Sequence, residues 1–321
     1  MLNRYALQGQ GLVSVSQATP AETLWIDLFE PTPAEEGSVE AECHINVPTR
    51  EEMREIETSN RLYEEDGAVY LTTTIVTSVE QELPQNSQVT FILKDGRLIT
   101  NRYADPLPFR RYISYAERHA ANCASGPAVL AGLVEAIINH VADIVERVSA
   151  NLDGISADVF TRQRRRRRGH AHDFEFVLER IGQSGDLIAK ARESLVSIGR
   201  ALTFLQQAAS VKVTADVGAR LATQSRDVVA MSDHASFLGN NVSFVLDATL
   251  GMVSIDQNNI LKIFSVVTVL MLPPSVIGAI YGMNFDHIPW ADESWGFLGA
   301  LALMAASALI PYLVFKRRHW L

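Results

Sequence analysis

The chain has 321 residues, with 37 acidic and 28 basic side chains and a formal net charge of -9. Its acidic excess lies in the N-terminal part, before the long helical stretches, which argues against a nucleic-acid partner. The sequence has no P-loop, no Gly-x-Gly-x-x-Gly and no Gly-x-Ser-x-Gly motif, so we expect neither an enzyme active site nor a catalytic cofactor. Cys43 and Cys123 are far apart and form no Cys-x-x-Cys pair, so buried free thiols are expected.

The N-terminal part alternates between strand-like and helix-like segments. Residues 24–28 read as a buried strand, and residues 31–36 read as a helix start with proline and acids in the first turn. Residues 68–77 are rich in Val, Ile, Thr and Tyr, which favour strands, and an Asp-Gly turn at 94–96 predicts a hairpin. These patterns predict a small α/β domain with a mixed sheet over residues 1–127.

Long helices follow. Apolar residues recur at spacings of three and four from Val129 to Val159, which is one apolar face of a helix. A second helix is predicted from about 174 to 207, and a third from about 214 running on toward the C-terminal apolar stretch without an interrupting proline before Pro273. The third helix would be on the order of 100 Å long at 1.5 Å per residue. We therefore predict a helical stalk over 128–257, which needs packing partners and so suggests oligomerisation.

The last sixty or so residues hold two apolar stretches. No charged residue lies between Ile263 and Met283, or between Trp295 and Phe315. Each stretch of about 21 residues matches the ~30 Å hydrocarbon thickness of a bilayer. We predict two transmembrane helices, 258–284 and 295–315, joined by a short extracytoplasmic loop at 285–294.

Charge predicts the orientation of this hairpin. Lys262 precedes the first span and a basic tail, 316–321, follows the second, whereas the loop carries Asp286, Asp292 and Glu293 and no basic residue. Basic residues stay on the cytoplasmic side. The chain is therefore expected to be a multi-pass protein of the inner or cell membrane with both termini in the cytoplasm.

The first predicted span carries a stripe of small, polar or moderately apolar residues. An uncharged wall of this kind would suit a strongly hydrated cation such as Mg²⁺, which gives up its water shell reluctantly. Small and hydroxyl residues also let helices pack closely, and on periodicity alone both interpretations stay open. The stripe consists of Asn258, Leu261, Ser265, Thr268, Leu272, Ser275 and Ala279.

A run of five arginines at 164–168 is the most conspicuous cluster of charge. It can be a solvated turn between two helices. Alternatively, it contacts anionic lipid headgroups or an acidic face of a neighbouring subunit.

The segment 281–285, Tyr-Gly-Met-Asn-Phe, lies at the outer end of the first span and is followed by an acidic loop, a second span and a basic tail. This arrangement resembles the CorA family of divalent-metal transporters. Residues 25–28 and 61–65, Asn258, Pro273 and the basic C-terminal residues agree with the resemblance, which covers essentially the whole chain. It implies a funnel-shaped homopentamer with a cytosolic α/β domain, a long stalk helix and an axial pore lined by the first span.

The resemblance also assigns roles to residues. Gly282 and Met283 would supply backbone and shape, and Asn284 the amide oxygen, of an outer site that selects a hydrated ion. Asn284 could also cap the C-terminus of the helix, which is compatible with the first role. Leu272 falls where the family narrows its pore with an apolar gate, and Ser275 lies one turn outward where the family has a hydroxyl.

The family senses cytosolic magnesium with carboxylates between neighbouring subunits. Here Asp227 and Asp233 lie on the same stretch of stalk, and Asp247 lies further along. At 3.6 residues per turn Asp227 and Asp233 point roughly 120° apart, so only one of them is expected to face a given neighbour. A solvated acid on the stalk is the alternative for each. If acids from adjacent subunits converge, bound Mg²⁺ would relieve their repulsion and hold the pore closed.

One departure from the family pattern concerns ion preference. Where the family usually carries Met-Pro-Glu-Leu after the triplet, this chain has Ile-Pro-Trp-Ala-Asp-Glu at 288–293. The leading hypothesis is passive, gated uptake of magnesium driven by the membrane potential, with cobalt or nickel as surrogate ions. The alternative is a zinc or other transition-metal transporter of the same architecture, with or without proton coupling. A third hypothesis is a membrane-anchored sensor whose pore is vestigial.

Overall fold

The structure is a computed structural model that describes residues 1–9, 11–15, 22–77, 84–161, 174–283, 288–290 and 293–318. Its N-terminal part contains a seven-stranded sheet. The strands are β1 (Leu2–Gln8), β2 (Gly11–Ser14), β3 (Thr23–Phe29), β4 (Leu62–Glu65), β5 (Ala68–Thr77), β6 (Gln85–Lys94) and β7 (Arg97–Arg102).

The strand order is β2-β1-β3-β7-β6-β5-β4. The central pair β3 and β7 is parallel and the other neighbours are antiparallel, so the sheet is mixed, as predicted. The Asp-Gly turn joins β6 to β7: Asp95 and Gly96 have φ values of 50° and 76°. Positive φ at both central residues is typical of the two-residue hairpin turn, which explains why aspartate and glycine stand there.

Seven helices accompany the sheet within the described residues. The second long helix has the bounds expected from periodicity, and the third runs unbroken for 67 residues through Pro273 and Pro274. The helices are α1 (Pro33–Cys43), α2 (Thr58–Arg61), α3 (Leu107–Ala116), α4 (Gly126–Thr161), α5 (Phe174–Gln207), α6 (Ala215–Tyr281) and α7 (Gly296–Arg317).

Both faces of the sheet are covered. Alternate residues of β3 point to opposite sides: Trp25 belongs to the larger apolar core, and Ile26 to the smaller one. The larger core joins the sheet to α3, α4, α5 and the N-terminal part of α6, and the smaller one includes Val39 and Cys43 of α1. Cys43 and Cys123 are both buried and free, which confirms the prediction for the thiols.

A buried ion pair fixes the two parallel strands to each other. The side chains of Asp27 on β3 and Arg102 on β7 are 0% and 4% exposed, and Arg102 donates from Nη2 and Nε to the two carboxylate oxygens at 2.9 and 3.0 Å. Thr100 donates to Asp27 at 2.8 Å and accepts from the indole of Trp25 at 2.9 Å. Every polar group in this chain of contacts has a partner, which is what burial of charge requires.

Helix α1 begins with the predicted proline and acid pattern. Thr32 and Glu35 form a capping box, in which each side chain accepts a hydrogen bond from the backbone N–H of the other residue. The hydrogen bond from the Thr32 backbone, together with one from the N-terminal amino group, lowers the pKa of Glu35 from 4.5 to about 2. The carboxylate is thereby held ionised at the positive end of the helix.

The chain divides into two compact units, Met1–Leu246 and Asp247–Leu321. Three described helices are long and apolar enough to cross a membrane: α4, α6 and α7. Of the most apolar stretch of α4, 72% is buried within the protein, against 6% for α6 and 6% for α7. Apolarity in α4 is explained by its place in the core of the first unit, whereas in α6 and α7 it is left exposed.

Candidate functional site

The stripe identified in the sequence lies on one open face of α6 in the second unit. All seven of its residues, from Asn258 to Ala279, are exposed, and Leu272 is 60% exposed. The residues named for the pore, Asn258, Thr268, Leu272 and Ser275, are therefore all on this face. Successive members stand three or four positions apart, so the stripe follows the helix as a continuous band.

The opposite face of α6 is the one turned toward α7. Val266 is 6% exposed, and Leu270, Pro273 and Ile277 on the same side are only partly exposed. A Cβ on Gly278 would lie 3.3 Å from Cε of Met304 on α7. At 100° per residue the centre of this covered face lies about 160° from the centre of the stripe. The hydroxyl stripe is thus not the surface through which the two helices of one chain pack.

Helix α7 presents small residues on its covered side. Gly296 and Ala300 are buried, and Ser307 and Ala308 are partly covered. Small side chains let helices approach closely in a membrane. The small residues of α7 therefore fit close packing within one chain, and the two interpretations of the α6 stripe both stay open.

The hydroxyls of the stripe have their protons engaged within the helix. Ser265, Thr268 and Ser275 each donate to the carbonyl oxygen four residues earlier, at 2.8 Å in every case. A hydroxyl oxygen that has donated its proton offers only lone pairs to what lies in front of it. Such lone pairs can accept hydrogen bonds from water, including the waters around a hydrated cation.

The C-terminal end of α6 leads into the Gly-Met-Asn segment. The N–H of Gly282 donates to the carbonyl oxygens of Gly278 and Ala279 at 3.0 and 3.2 Å, and the N–H of Met283 donates to that of Ile280 at 3.2 Å. Gly282 and Met283 are both exposed. The carbonyl end of a helix carries partial negative charge and therefore favours a nearby cation.

Part of the predicted site, namely Asn284, Asp286 and Asp292, lies outside the described residues. The arginine run at 164–168 lies outside them too. Of the predicted loop acids the structure describes Glu293, which is exposed and whose N–H donates to the carbonyl oxygen of Trp290 at 3.3 Å.

The three candidate sensor acids are all exposed on α6. Asp227 borders a groove of about 380 Å³ between α4 and α6, together with Asp216 and Glu135. Glu135 is already paired with Arg220 at 3.0 Å. Within the described residues no group of three or more His, Cys, Asp or Glu side chains could hold a metal ion. The structure does not bring Asp227, Asp233 and Asp247 together within one chain.

Sequence reasoning missed one exposed feature of α6 in the first unit. Phe237 and Phe244 are 63% and 59% exposed, and they stand seven residues apart on the helix. Large apolar side chains at heptad spacing are typical of a helix that packs against another helix. The spacing was visible in the sequence, but the exposure of the two rings was not. Within the described residues Phe244 stacks on Phe160 with ring centroids 6.2 Å apart, and Phe160 is itself 48% exposed.

An α/β unit followed by exposed helices that are long and apolar enough to cross a membrane is typical of a membrane protein, and the uncharged hydroxyl stripe on one of these helices is compatible with ion transport. The model of one family, the CorA-like Mg²⁺ transporter protein, matches residues 20–317. The chain belongs to this family.

Curated relatives support the same family assignment. The chain is 33% identical over 301 residues to the magnesium transport protein CorA of Yersinia pseudotuberculosis serotype I, covering 94% of this chain and 93% of the relative. It is 32% identical over 328 residues to the magnesium transport protein CorA of Escherichia coli strain K12, covering 100% of both chains.

Solved structures share the fold. The complete structure of the CorA magnesium transporter from Methanocaldococcus jannaschii superposes with a TM-score of 0.77 at 19% identity, over 100% of this chain and 99% of the other. The full-length CmaX protein gives a TM-score of 0.73 at 16% identity, over 99% and 97%. The cytoplasmic domain of ZntB from Vibrio parahaemolyticus gives 0.58 at 10% identity, over 78% and 97%.

Membership of the family confirms the predicted class. CorA proteins are membrane transporters of ions and not enzymes, and Mg²⁺ is the ion that the family transports. The N-terminal α/β unit with a mixed sheet and the long helix fit the family fold. The zinc alternative is not favoured, because the two relatives above, at 33% and 32% identity, are named for magnesium and the likeness to ZntB is one of fold alone.

Proposed function

We propose that this chain forms a gated magnesium channel in which several copies surround a pore lined by α6. The observation that carries the proposal is the uncharged hydroxyl stripe on the face of α6 opposite α7. In this arrangement the protein contains two spans, 258–284 and 295–315, both termini are in the cytoplasm of a cell or inner membrane, and the loop 285–294 faces outward. Residues 1–127 and 128–257 form the cytosolic α/β domain and stalk.

One chain cannot enclose a pore with two helices, so the proposal needs copies. The exposed Phe237 and Phe244 support association, because side chains of this size at heptad spacing gain stability when a second helix covers them. From the family resemblance we propose that the assembly is a homopentamer in the shape of a funnel. Lipid surrounds the outer faces of the spans.

The proposed pore handles magnesium as a hydrated ion. Mg²⁺ dehydrates reluctantly, so a wall that accepts hydrogen bonds from its water shell is easier to build than a bare coordination cage. Ser275, Thr268 and Ser265 offer such acceptors. Gly282, Met283 and Asn284 form the outer selectivity site, with the acids Asp286, Asp292 and Glu293 raising the local concentration of cations.

The driving force in this account is the membrane potential. A potential of 100 mV, negative inside, favours entry of a divalent ion by about 4.6 kcal/mol, twice the value for one charge. No coupled proton is then required. Co²⁺ and Ni²⁺ are proposed as surrogate ions.

Gating is proposed to involve Leu272 and acids at subunit boundaries. Leu272 would close the pore as a dry, apolar constriction. Asp227, Asp233 and Asp247 are each exposed without a metal-binding cluster in their own chain, within the residues described, so a metal site there needs acids from more than one subunit. Bound Mg²⁺ would relieve the repulsion between such acids, and its loss would let the stalks separate.

Uptake into proteoliposomes tests the proposal at the selectivity site. Asn284→Ala should abolish most Mg²⁺ uptake while the assembly elutes at its normal size, because the amide oxygen that holds the hydrated ion is lost. Asn259→Ala, on α6 and turned about 100° from Asn258, is the matched control and should retain uptake. Near-normal flux in Asn284→Ala would contradict the proposed site, and absence of flux in the wild type would favour a membrane-anchored sensor instead.

A further inference from the structure

A groove of about 480 Å³ opens on the first unit, away from the residues considered for ion conduction. One wall is a face of α5, the floor is Thr72 and Thr74 of β5, and the other wall is the segment from Ile56 to Leu62 that includes α2. Its volume lies in the range of about 300–1,000 Å³ that is typical of sites for small molecules.

Three arginines converge on this groove from both walls. Arg192 and Arg200 stand two turns apart on α5, are exposed, and have no ion pair among the described residues. Arg61 comes from the opposite wall and donates from Nη2 to the hydroxyl of Thr74 at 3.0 Å. Its Nε is buried and, within the described part of the chain, has no hydrogen-bond partner.

Positive charge in the groove is only partly neutralised. Glu193 is the one acid among the lining residues, and its Oε2 already accepts from the amide of Asn86 at 2.7 Å. Burial lowers the pKa of Arg61, and the neighbouring Arg200 lowers it further while Glu193 raises it. Three guanidinium groups against one carboxylate leave an excess of positive charge. In a chain with a net charge of -9 this concentration is unusual and attracts anions.

The chemistry of the lining favours phosphate. A guanidinium presents parallel N–H donors that match the spacing of phosphate oxygens, and several of them together match an anion with more than one negative charge. Ser197 accepts from the backbone N–H of Thr74 at 3.0 Å, so its own hydroxyl proton is available to a ligand. Apolar surface lies beside the charges: Ile56 is 91% exposed, and Val196 also lines the groove.

We infer that this groove binds a phosphate-bearing small molecule of about the size of a mononucleotide. The phosphate lies among Arg61, Arg192 and Arg200, and the remainder of the ligand covers the apolar surface beside Ile56 and Val196. This site is separate from ion conduction, so its occupancy can be measured without transport.

Calorimetric titration of the full-length protein in detergent, in magnesium-free buffer, tests the inference. The probes are AMP, ADP and inorganic phosphate. AMP and ADP should bind, and each of the substitutions Arg192→Gln and Arg200→Gln should weaken binding about tenfold or more, because a charge-assisted hydrogen bond is lost. Arg118→Gln makes the same charge change at an exposed site outside the groove and should leave the affinity unchanged.

Three results would overturn the inference. AMP and ADP could fail to bind the wild type, or the Arg192→Gln/Arg200→Gln double variant could bind them as tightly as the wild type does. Inorganic phosphate binding as tightly as AMP would refute the assigned ligand size. A thermal unfolding temperature within a degree or so of the wild type, measured for each variant without ligand, shows that any loss of affinity reflects the groove and not misfolding.

Discussion

Ser275 and Ser307 form a matched pair that separates a conducting face from a packing face. Both are serines in apolar helices of the second unit, and both donate their hydroxyl proton to a carbonyl of their own helix, at 2.8 and 2.7 Å. Ser275 lies on the open face of α6, whereas Ser307 lies on the partly covered side of α7. Substitution of either by alanine removes one oxygen and leaves the backbone bonds intact.

The expected magnitude follows from the number of hydrogen bonds that a hydrated ion loses. A net hydrogen bond is worth about 0.5–1.5 kcal/mol. In the proposed pore, each copy of the chain contributes one Ser275 hydroxyl to a ring. If the ion's waters contact two of these hydroxyls at the highest barrier to passage, Ser275→Ala raises that barrier by about 1–3 kcal/mol and slows flux about 5- to 150-fold. Ser307→Ala removes no contact with the ion and should leave flux within about twofold of the wild type.

Initial rates of Mg²⁺ entry into proteoliposomes, followed with an internal magnesium-sensitive dye, provide the assay. Equal amounts of assembled protein must be compared, so each variant is first checked by size-exclusion chromatography. Equal loss of flux in the two variants, or loss in Ser307→Ala alone, would refute the assignment of the open face of α6 to the pore.

Three further predictions concern the gate and the first unit. Leu272→Ala should raise Mg²⁺ flux at high internal magnesium in the same dye assay, because a smaller side chain no longer keeps the constriction dry. A flux as low as that of the wild type under these conditions would contradict a gate at Leu272. Asp27→Asn breaks a buried ion pair and should lower the free energy of unfolding by about 3–5 kcal/mol. Asp105→Asn removes a partner of the same arginine, but its side chain is 42% exposed, so the free energy of unfolding should fall by about 1 kcal/mol or less. Denaturant titration followed by Trp fluorescence measures both. Equal effects of these two substitutions would be inconsistent with the pairing. Because the Thr32 backbone holds the pKa of Glu35 at about 2, below its ordinary 4.5, the charge of Glu35 stabilises the fold above pH 4.5 and this contribution is lost as the pH falls toward 2. The small stability difference between wild type and Glu35→Gln should therefore shrink over that range in thermal unfolding, and a difference independent of pH would contradict it.

Local patterns predicted the start of α1, the long helices and several strands, because each depends on residues close in sequence, whereas α2 and α3 were not predicted. The apolar period of α4 and the absence of proline before Pro273 were enough to predict long helices. The Asp-Gly turn predicted the β6–β7 hairpin because its two residues tolerate positive φ. The parallel pairing of β3 with β7 was not predictable in this way, since it joins residues more than seventy positions apart.

In the candidate site, too, features set by neighbouring residues were predictable and features set by distant residues were not. The stripe on α6 was visible as a period in the sequence, but its two interpretations could not be separated there, because pore walls and packing faces use the same small residues. The position of Met304 against Gly278 shows only that the face of α6 turned toward α7 is not the stripe, and a pore wall remains our proposal for the stripe. The arginine groove was not predicted, because Arg61 lies more than 130 positions before Arg192 and Arg200, and only the fold brings them together.

Flux driven by a membrane potential tests the central claim most directly. Proteoliposomes that contain the wild-type protein, with a potassium diffusion potential negative inside and no pH gradient, should take up Mg²⁺ at a rate that rises with the potential. When Zn²⁺ is added in competition, Mg²⁺ should remain the ion that is taken up preferentially. Uptake of Zn²⁺ that depends on a proton gradient, with no Mg²⁺ entry at any potential, would contradict the account.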